Sequence, residues 1–383
     1  MCGKMFGCGT KVEGQHEMIS TTIAATEPNP QRSKLCDLAG AELLTHYERL
    51  LSNESIRWAA EYKKIRLLGK GGQGVVYLSE RIGTDLFRLP VALKIFSPES
   101  YRDASAYSDD MARIAEIASR VALIQHDNII DLHNFIEYAG IRIMVMEWVD
   151  GFDLRDLLTH EIYEQSRARL SPERWAYVNK VILSDGPRQL RFKPGIAIQV
   201  LRECLAGLAA LHRDGIVHGD LKPGNIMVKR TGNAKIIDIG SAMDLDQAQN
   251  RRMWSPAYTA PEVLKGEKST RQSDLASLGY VLIEMLSGQN PFDGLNDYSS
   301  LLSAKLDVDK RLKSLLPADV STNEMLLHLC EKLIAPDPAN RFADAQAADL
   351  DRKGAADFHR QLVKGDLASE YEHDLRVWLE ELA

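Results

Sequence analysis

The sequence predicts an α+β chain, because β-prone runs and helical periodicity occupy different stretches and do not alternate regularly. Two β-prone runs, Ile65–Leu68 and Val75–Leu78, flank a glycine cluster, and Val91–Phe96 and Ile141–Met146 read as further strands. Helical spacing dominates later. Ile198, Leu201, Leu205, Leu208 and Leu211 recur along Ile196–Arg213, and Asp274 opens another long apolar helix.

The 383 residues permit two or three compact units with ample core. A formal charge of −7 argues against a general nucleic-acid or anionic-membrane binder. No apolar run approaches the roughly eighteen residues of a membrane span. Met1–Cys8 lacks an apolar signal core, so secretion is not expected. The cysteines Cys2, Cys8, Cys36, Cys204 and Cys330 are odd in number and scattered, which indicates a reducing cytoplasm and no disulfide framework. Cys2 and Cys8 read as free thiols; acylation or a shared metal is the alternative, without the second ligand pair of a closed zinc site.

Residues 1–34 are polar and rich in Thr, Gly and Pro, and are expected to be a flexible segment. Over 35–61, Leu35, Leu38, Leu43, Leu44, Tyr47, Leu50 and Leu51 recur at helical spacing and predict a helical extension. The next glycines have two readings. Gly69, Lys70, Gly71, Gly72, Gln73 and Gly74 suit a hairpin tip, and backbone without β-carbons can also lie over a triphosphate. A dinucleotide fingerprint would need a helix to follow, whereas Val75–Leu78 continues as strand. Lys94 stands among apolar strand neighbours, where burial demands an anion. Nucleotide phosphates and a carboxylate on the helix from about Ser105 to Ile124 are the expected partners. Glu116, between Ile114 and Ile117, is the candidate, with Asp110 the alternative because Arg120 interrupts the apolar pattern four residues beyond Glu116.

The run His218–Asn225 brings Asp220, Lys222 and Asn225 into one loop tightened by Pro223 and Gly224. Phosphoryl transfer needs such a set: an acceptor for the hydroxyl proton, a cation for phosphate charge, and a neutral oxygen ligand for Mg²⁺.

This octapeptide resembles the catalytic loop of protein kinases, H-R-D-L-x-x-x-N, with Gly219 in place of the arginine. Further motifs follow in the family's order. Asp238-Ile-Gly240 resembles D-F-G, Ala260-Pro-Glu262 is an intact A-P-E, and Arg341 stands where it could pair with Glu262. The resemblance covers Leu68 to Phe342 and identifies the chain as similar to the eukaryotic-like (Hanks-type) serine/threonine protein kinases.

That resemblance implies a two-lobed protein-kinase-like fold: a small antiparallel β lobe with one helix and a large, mainly α lobe. It implies a kinase domain over 62–350, with the small lobe at 62–146, a hinge at 147–151 and the large lobe at 152–350. An insertion is expected at about 159–194 and a helical tail over 351–383. The glycine loop, Val76, Ala92 and Lys94 would bind ATP, with Met146 gating the back pocket. The backbone at Glu147 and Val149 would pair with adenine, and Asp153 would lie near the ribose or serve as an ordinary helix-start acid. Asn225 and Asp238 would hold Mg²⁺, Ser255 would stand near the catalytic acid and lysine, and Asp274 would be structural. The Leu-Lys-Pro-x-Asn pattern implies serine/threonine acceptors.

Gly219 cannot clamp a phosphate, and Ser241 is the only hydroxyl between Gly240 and Trp254, so activity independent of activation-loop phosphorylation is expected. Arg251, Arg252, Asp244 and Asp246 could order that loop instead. A nucleotide-binding pseudokinase scaffold and a small-molecule phosphotransferase are the rival readings. The tail residues Phe358, Leu362, Tyr371, Leu375, Trp378, Leu379 and Leu382 share a helical face, expected to pack on the large lobe. A partner groove or dimer contact through the N- or C-terminal helices is the alternative.

Overall fold

In a computed structural model, residues 61–246, 255–295, 297–364 and 370–382 are described. The expectations on 1–34 and 35–60, on Cys2, Cys8 and Cys36, and on Arg251, Arg252 and Trp254 lie outside the described residues.

Five antiparallel strands form the first layer in the order β1-β2-β3-β5-β4: Glu61–Gly71, Gly74–Ile82, Arg88–Phe96, Leu132–Tyr138 and Ile141–Glu147 for β1 to β5. Glu61, expected at the end of the helical extension, already belongs to β1. Strand alternation splits β3 between two faces. Val91 and Leu93 pack with Val145 on one side; Ala92 and Phe96 join the main core with Met144 and Met146. Lys94 shares the parity of Ala92 and Phe96, so it points to the cleft side. Helix α1, Ala104–Val121, covers that side, capped by Asp103, whose carboxylate accepts the Ala106 amide at 2.8 Å.

A short strand β6, Gly151–Asp153, leads into the helical layer. The expected insertion contains helices α2, His160–Arg169, and α3, Pro172–Val181, and the strand pair β7, Leu183–Ser184, and β8, Arg191–Phe192. Helix α4, Pro194–Arg213, runs through the core. It is long and apolar enough to cross a membrane by length and composition, but its apolar residues are buried within the lobe. Strand β9, Ile216–Val217, precedes the His218–Asn225 loop. Strands β10, Ile226–Lys229, and β11, Ala234–Ile236, then form a hairpin that also pairs β6, and β12, Met243–Asp244, pairs β9.

Helix α5, Arg271–Ser287, starts at a capping box made by Thr270 and Ser273 and ends at Gly288, whose φ of 73° is left-handed. Helices α6, Tyr298–Leu306, α7, Glu324–Ile334, α8, Ala345–Leu350, α9, Ala355–Lys364, and α10, Tyr371–Glu381, follow, with short helices at Val308–Leu315 and Ala318–Ser321 between α6 and α7. The expected tail face is buried: Phe358, Tyr371, Leu375, Trp378, Leu379 and Leu382 all join the main core. The tail also grips the insertion. Trp378 Nε1 donates to Ser166 Oγ at 3.1 Å, Tyr177 Oη to Asp374 at 2.8 Å, and Arg174 Nε to Glu381 at 3.0 Å. Packing against its own lobe is thus the reading the tail satisfies.

The Ala-Pro-Glu segment is locked by one ion pair. Arg341 meets Glu262 through two bonds of 2.6 and 2.8 Å, with both residues buried, and Arg341 Nε also donates to the Ala335 carbonyl at 2.8 Å. Removing one partner leaves a desolvated charge alone. Arg341→Ala should therefore cost about 3–5 kcal/mol of stability, and Arg341→Met with Glu262→Leu should cost less than that single change; urea denaturation checks both.

Candidate active site

The His218–Asn225 loop is oriented from below by a buried acid. Asp274 on α5 accepts the amides of His218 at 2.8 Å and Gly219 at 2.9 Å, and lies 3.0 Å from His212 Nε2. Gly219 has a φ of 76°, and a Cβ there would lie 3.0 Å from Met243 Cε and 3.1 Å from the Ser241 carbonyl. An arginine would be strained and crowded at this position.

Above this anchor, Asp220 is tied to both of its loop partners. Lys222 Nζ donates to Asp220 Oδ2 at 2.6 Å, and Asn225 Nδ2 donates to the Asp220 carbonyl at 2.8 Å and to Oδ2 at 3.3 Å. Those bonds engage the Asn225 NH₂ and leave its carboxamide oxygen to face a cation. Ser255 joins the cluster: its amide donates to Asp220 Oδ1 at 3.0 Å, and Lys222 donates to its hydroxyl at 2.9 Å.

The β10–β11 hairpin brings the two expected metal positions together, because the Ile237 amide donates to the Asn225 carbonyl at 2.9 Å. Asp238 follows with a left-handed φ of 62°. Lys94 forms an ion pair with Asp238 Oδ1, and the Gly240 amide donates to the same oxygen at 3.0 Å. Burial alone would raise the Asp238 carboxyl; the Lys94 ammonium, the Gly240 amide and His218 outweigh it and hold it at about 2. Asn225 and Asp238 thus offer the hard oxygen donors that suit Mg²⁺, an ion that keeps waters and phosphates for its other positions.

The glycine loop closes the cleft. Gln73 at its tip accepts from Lys94 Nζ at 2.6 Å and donates to Ser241 Oγ at 3.0 Å. Gly74 is required by the backbone: its φ is 137° and a Cβ would lie 2.0 Å from the Ile95 carbonyl. A Cβ at Gly240 would lie 2.2 Å from Gln73 Oε1. A Cβ at Gly69 or Gly71 would meet open space, so the fold itself does not require glycine there, and room for a phosphate chain fits that cradle.

Val76 pairs with Lys94 across β2–β3, and Ala92 with Met146 across β3–β5, which lines these expected nucleotide residues along the same strands. Met146 is buried, and the chain leaves β5 at Glu147 before running through Val149 outside any ladder. The Glu147 side chain is committed elsewhere, paired with Lys235 and accepting the Asp131 amide at 2.7 Å. Asp153 caps the helix Leu154–Leu157 by accepting the Asp156 amide at 2.9 Å; burial pushes its carboxyl pKa up.

Glu116 does not meet Lys94. It is exposed, because Met111, Ile114, Ile117, Ala118 and Val121 set the buried stripe of α1 and leave position 116 on the opposite side. The alternative, Asp110, accepts from Tyr101 Oη at 2.7 Å and from Arg113 Nε at 3.1 Å. Two arginines instead reach across from α1. Arg113 Nη1 donates to the Ala242 carbonyl at 2.8 Å, and Arg120 bonds Asp244 and the Asp214 carbonyl. Arg120's departure from an apolar helix pattern is the signal that could have indicated this role.

The family model described as "Protein kinase domain" matches residues 62–351. The chain belongs to the protein kinase domain family. This kinase domain is 29% identical over 311 residues to serine/threonine-protein kinase PrkC of Bacillus subtilis, covering 79% of the chain and 42% of PrkC. It is 31% identical over 289 residues to serine/threonine-protein kinase PknD of Mycobacterium tuberculosis, covering 74% and 38%. Similarity to serine/threonine-protein kinase pkn2 of Myxococcus xanthus is 29% over 317 residues, covering 78% and 34%. The chain therefore spans less than half the length of these curated relatives.

The Lys94–Asp238 pair makes stability depend on pH in a defined direction. A carboxyl lowered from 3.8 to about 2 on folding contributes stability that is fully present above pH 4 and disappears as pH falls toward 2. Lys94→Met removes the compensating cation. The stability difference between wild type and this variant should be largest near neutral pH and shrink as pH falls through the acid range toward 2, read from urea midpoints against pH.

Proposed function

We propose that the chain is an ATP-dependent serine/threonine protein kinase, transferring the γ-phosphoryl group of Mg-ATP to a protein hydroxyl. The observation that carries this reading is the convergence of Lys94, Asp220, Lys222, Asn225 and Asp238 on one cleft below the glycine loop. Asp220 would orient the acceptor hydroxyl and take its proton. Lys222 and Lys94 would offset charge on the γ- and α/β-phosphates, with Lys94 exchanging its Gln73 and Asp238 contacts for phosphate oxygens. Asn225 and Asp238 would hold Mg²⁺, which supplies charge neutralisation on the triphosphate. Catalysis would then rest on positioning and electrostatics. The backbone at Glu147 and Val149 would receive adenine and Asp153 the ribose. A reducing cytoplasm suits the buried free thiols of Cys204 and Cys330.

A pseudokinase scaffold has one observation in its favour: the Lys94 ammonium is paired with Asp238 and not with a carboxylate on α1. Transfer of labelled phosphate from ATP to a protein acceptor separates the two readings. Asp220→Asn and Lys94→Met should each lower turnover by at least about a hundredfold. Wild-type rates in either variant would overturn these roles.

The same reading makes the enzyme independent of activation-loop phosphate. Gly219 offers no cation, whereas Arg113 and Arg120 already hold Ala242 and Asp244. Protein treated with a phosphatase should retain its turnover. Loss of activity that is restored by phosphate on Ser241 would contradict this.

A further inference from the structure

Lys305 is a buried amine where the fold offers room for a hydrocarbon. Helix α6 turns Leu301 and Lys305, four residues apart, to the same buried face, and Lys305 is 0% exposed. Its Nζ lies 4.1 Å from the Tyr280 ring centroid and 3.8 Å from that of Phe292, two rings that pack edge to face. The hydrogen bond it makes runs to the Ala257 carbonyl, at 2.7 Å. Burial pushes its pKa well below the usual lysine value, with the Glu262 carboxylate acting weakly the other way, and the donation to Ala257 is available to either protonation state. No carboxylate forms an ion pair with it among the described residues. A lysine so placed costs more than a methionine would unless its donor has a use.

That use lies in the turn it holds. The amides of Tyr258 and Thr259 donate to the Ser255 carbonyl at 2.9 and 3.1 Å, closing a compact turn over Ser255–Thr259. Ser255 touches Asp220 and Lys222 at one end of this turn, and Tyr258 Oη donates to Glu284 at 2.7 Å at the other. Ala257 is between them, and Lys305 bonds its carbonyl from the α6 side. Pro256 is exposed and Ala257 and Tyr258 are half-buried, so the turn's outer surface forms a wall beside Asp220.

We propose that Lys305 is a positioning residue for the protein acceptor: by fixing the Ala257 carbonyl it sets the wall along which the acceptor segment approaches Asp220. The proposal rests on the reading of the chain as a protein kinase. Lys305 touches neither nucleotide-binding nor proton-accepting groups, so its effect should fall on the acceptor alone.

The test uses the full chain and one acceptor peptide chosen from a degenerate serine/threonine array. Lys305→Met should raise KM for the peptide about tenfold, while KM for ATP and the acceptor-independent ATPase rate stay within about twofold. Its melting temperature should not fall, because an apolar side chain replaces a buried amine. A purely structural residue would lower the active fraction and leave both KM values unchanged. An unchanged peptide KM in folded Lys305→Met, or equal shifts in both KM values, removes the role of Lys305. Where Lys305→Met does not fold, Phe292→Leu, which strips one ring from the amine, must raise peptide KM selectively or the proposal falls. Wild-type protein that transfers phosphate to no peptide at all removes the kinase reading itself, and this role with it.

Discussion

One buried carboxylate orients everything that faces the cleft. Asp274 is 1% exposed and, among the described residues, faces no lysine or arginine in an ion pair; its two oxygens are satisfied by the amides of His218 and Gly219 and by the ring of His212. Hydrogen bonds to a desolvated acid exceed neutral ones in strength and in the penalty for losing them. They therefore fix the direction in which the chain leaves β9. From that direction follow the position of Asp220, the reach of Asn225 back to it, and the juxtaposition of the loop with Ser255. Gly219 belongs to the same constraint. Its amide turns toward Asp274 while its Cα passes close to Ser241 and Met243, and only a residue without a Cβ takes that conformation unstrained.

The cations of the small lobe complete the frame in a different way from that suggested by the local pattern. Arg113 and Arg120 are seven residues apart, two helical turns, so they project along one stripe of α1. That stripe faces the Ser241–Asp244 stretch, and the two guanidinium groups meet a carbonyl and a carboxylate there. The stretch after Asp238 is thus held to the small lobe by fixed charges of the chain itself. This is consistent with a catalytic loop that carries glycine where a phosphate-binding arginine would otherwise stand.

Most of the site could be read in the sequence because its signals are local. The hairpin glycines, the lysine within an apolar strand, the Asp220–Asn225 spacing and the Asp238-x-Gly240 turn each involve residues a few positions apart, and the structure brings all of them to one cleft. Glu116 failed for a definite reason: flanking isoleucines suggest burial, but the phase of α1 is set by the whole stripe from Tyr107 to Val121. The union of the tail with the insertion was equally hidden, since contacts such as Trp378 with Ser166 or Tyr177 with Asp374 join segments about two hundred residues apart. Lys305 was illegible for a third reason. A lysine four residues after a leucine on a short helix reads as surface, and only the rings of Tyr280 and Phe292 make it otherwise.

Charge balance around Asp238 links the described arrangement to the one that transfer would need. Burial raises the Asp238 carboxyl pKa, and the Lys94 ammonium, with help from the Gly240 amide and His218, outweighs it. Gln73 completes the bonds of Lys94 while lying against Gly240. A triphosphate entering under the glycine loop competes for Lys94 with four or so negative charges against one, so the lysine would turn to it. Asp238 would then lack its partner unless a second positive charge arrived with the nucleotide. A divalent ion held by Asp238 and Asn225 would supply that charge. On the proposed kinase reading, nucleotide and metal would then each make the other's site more favourable.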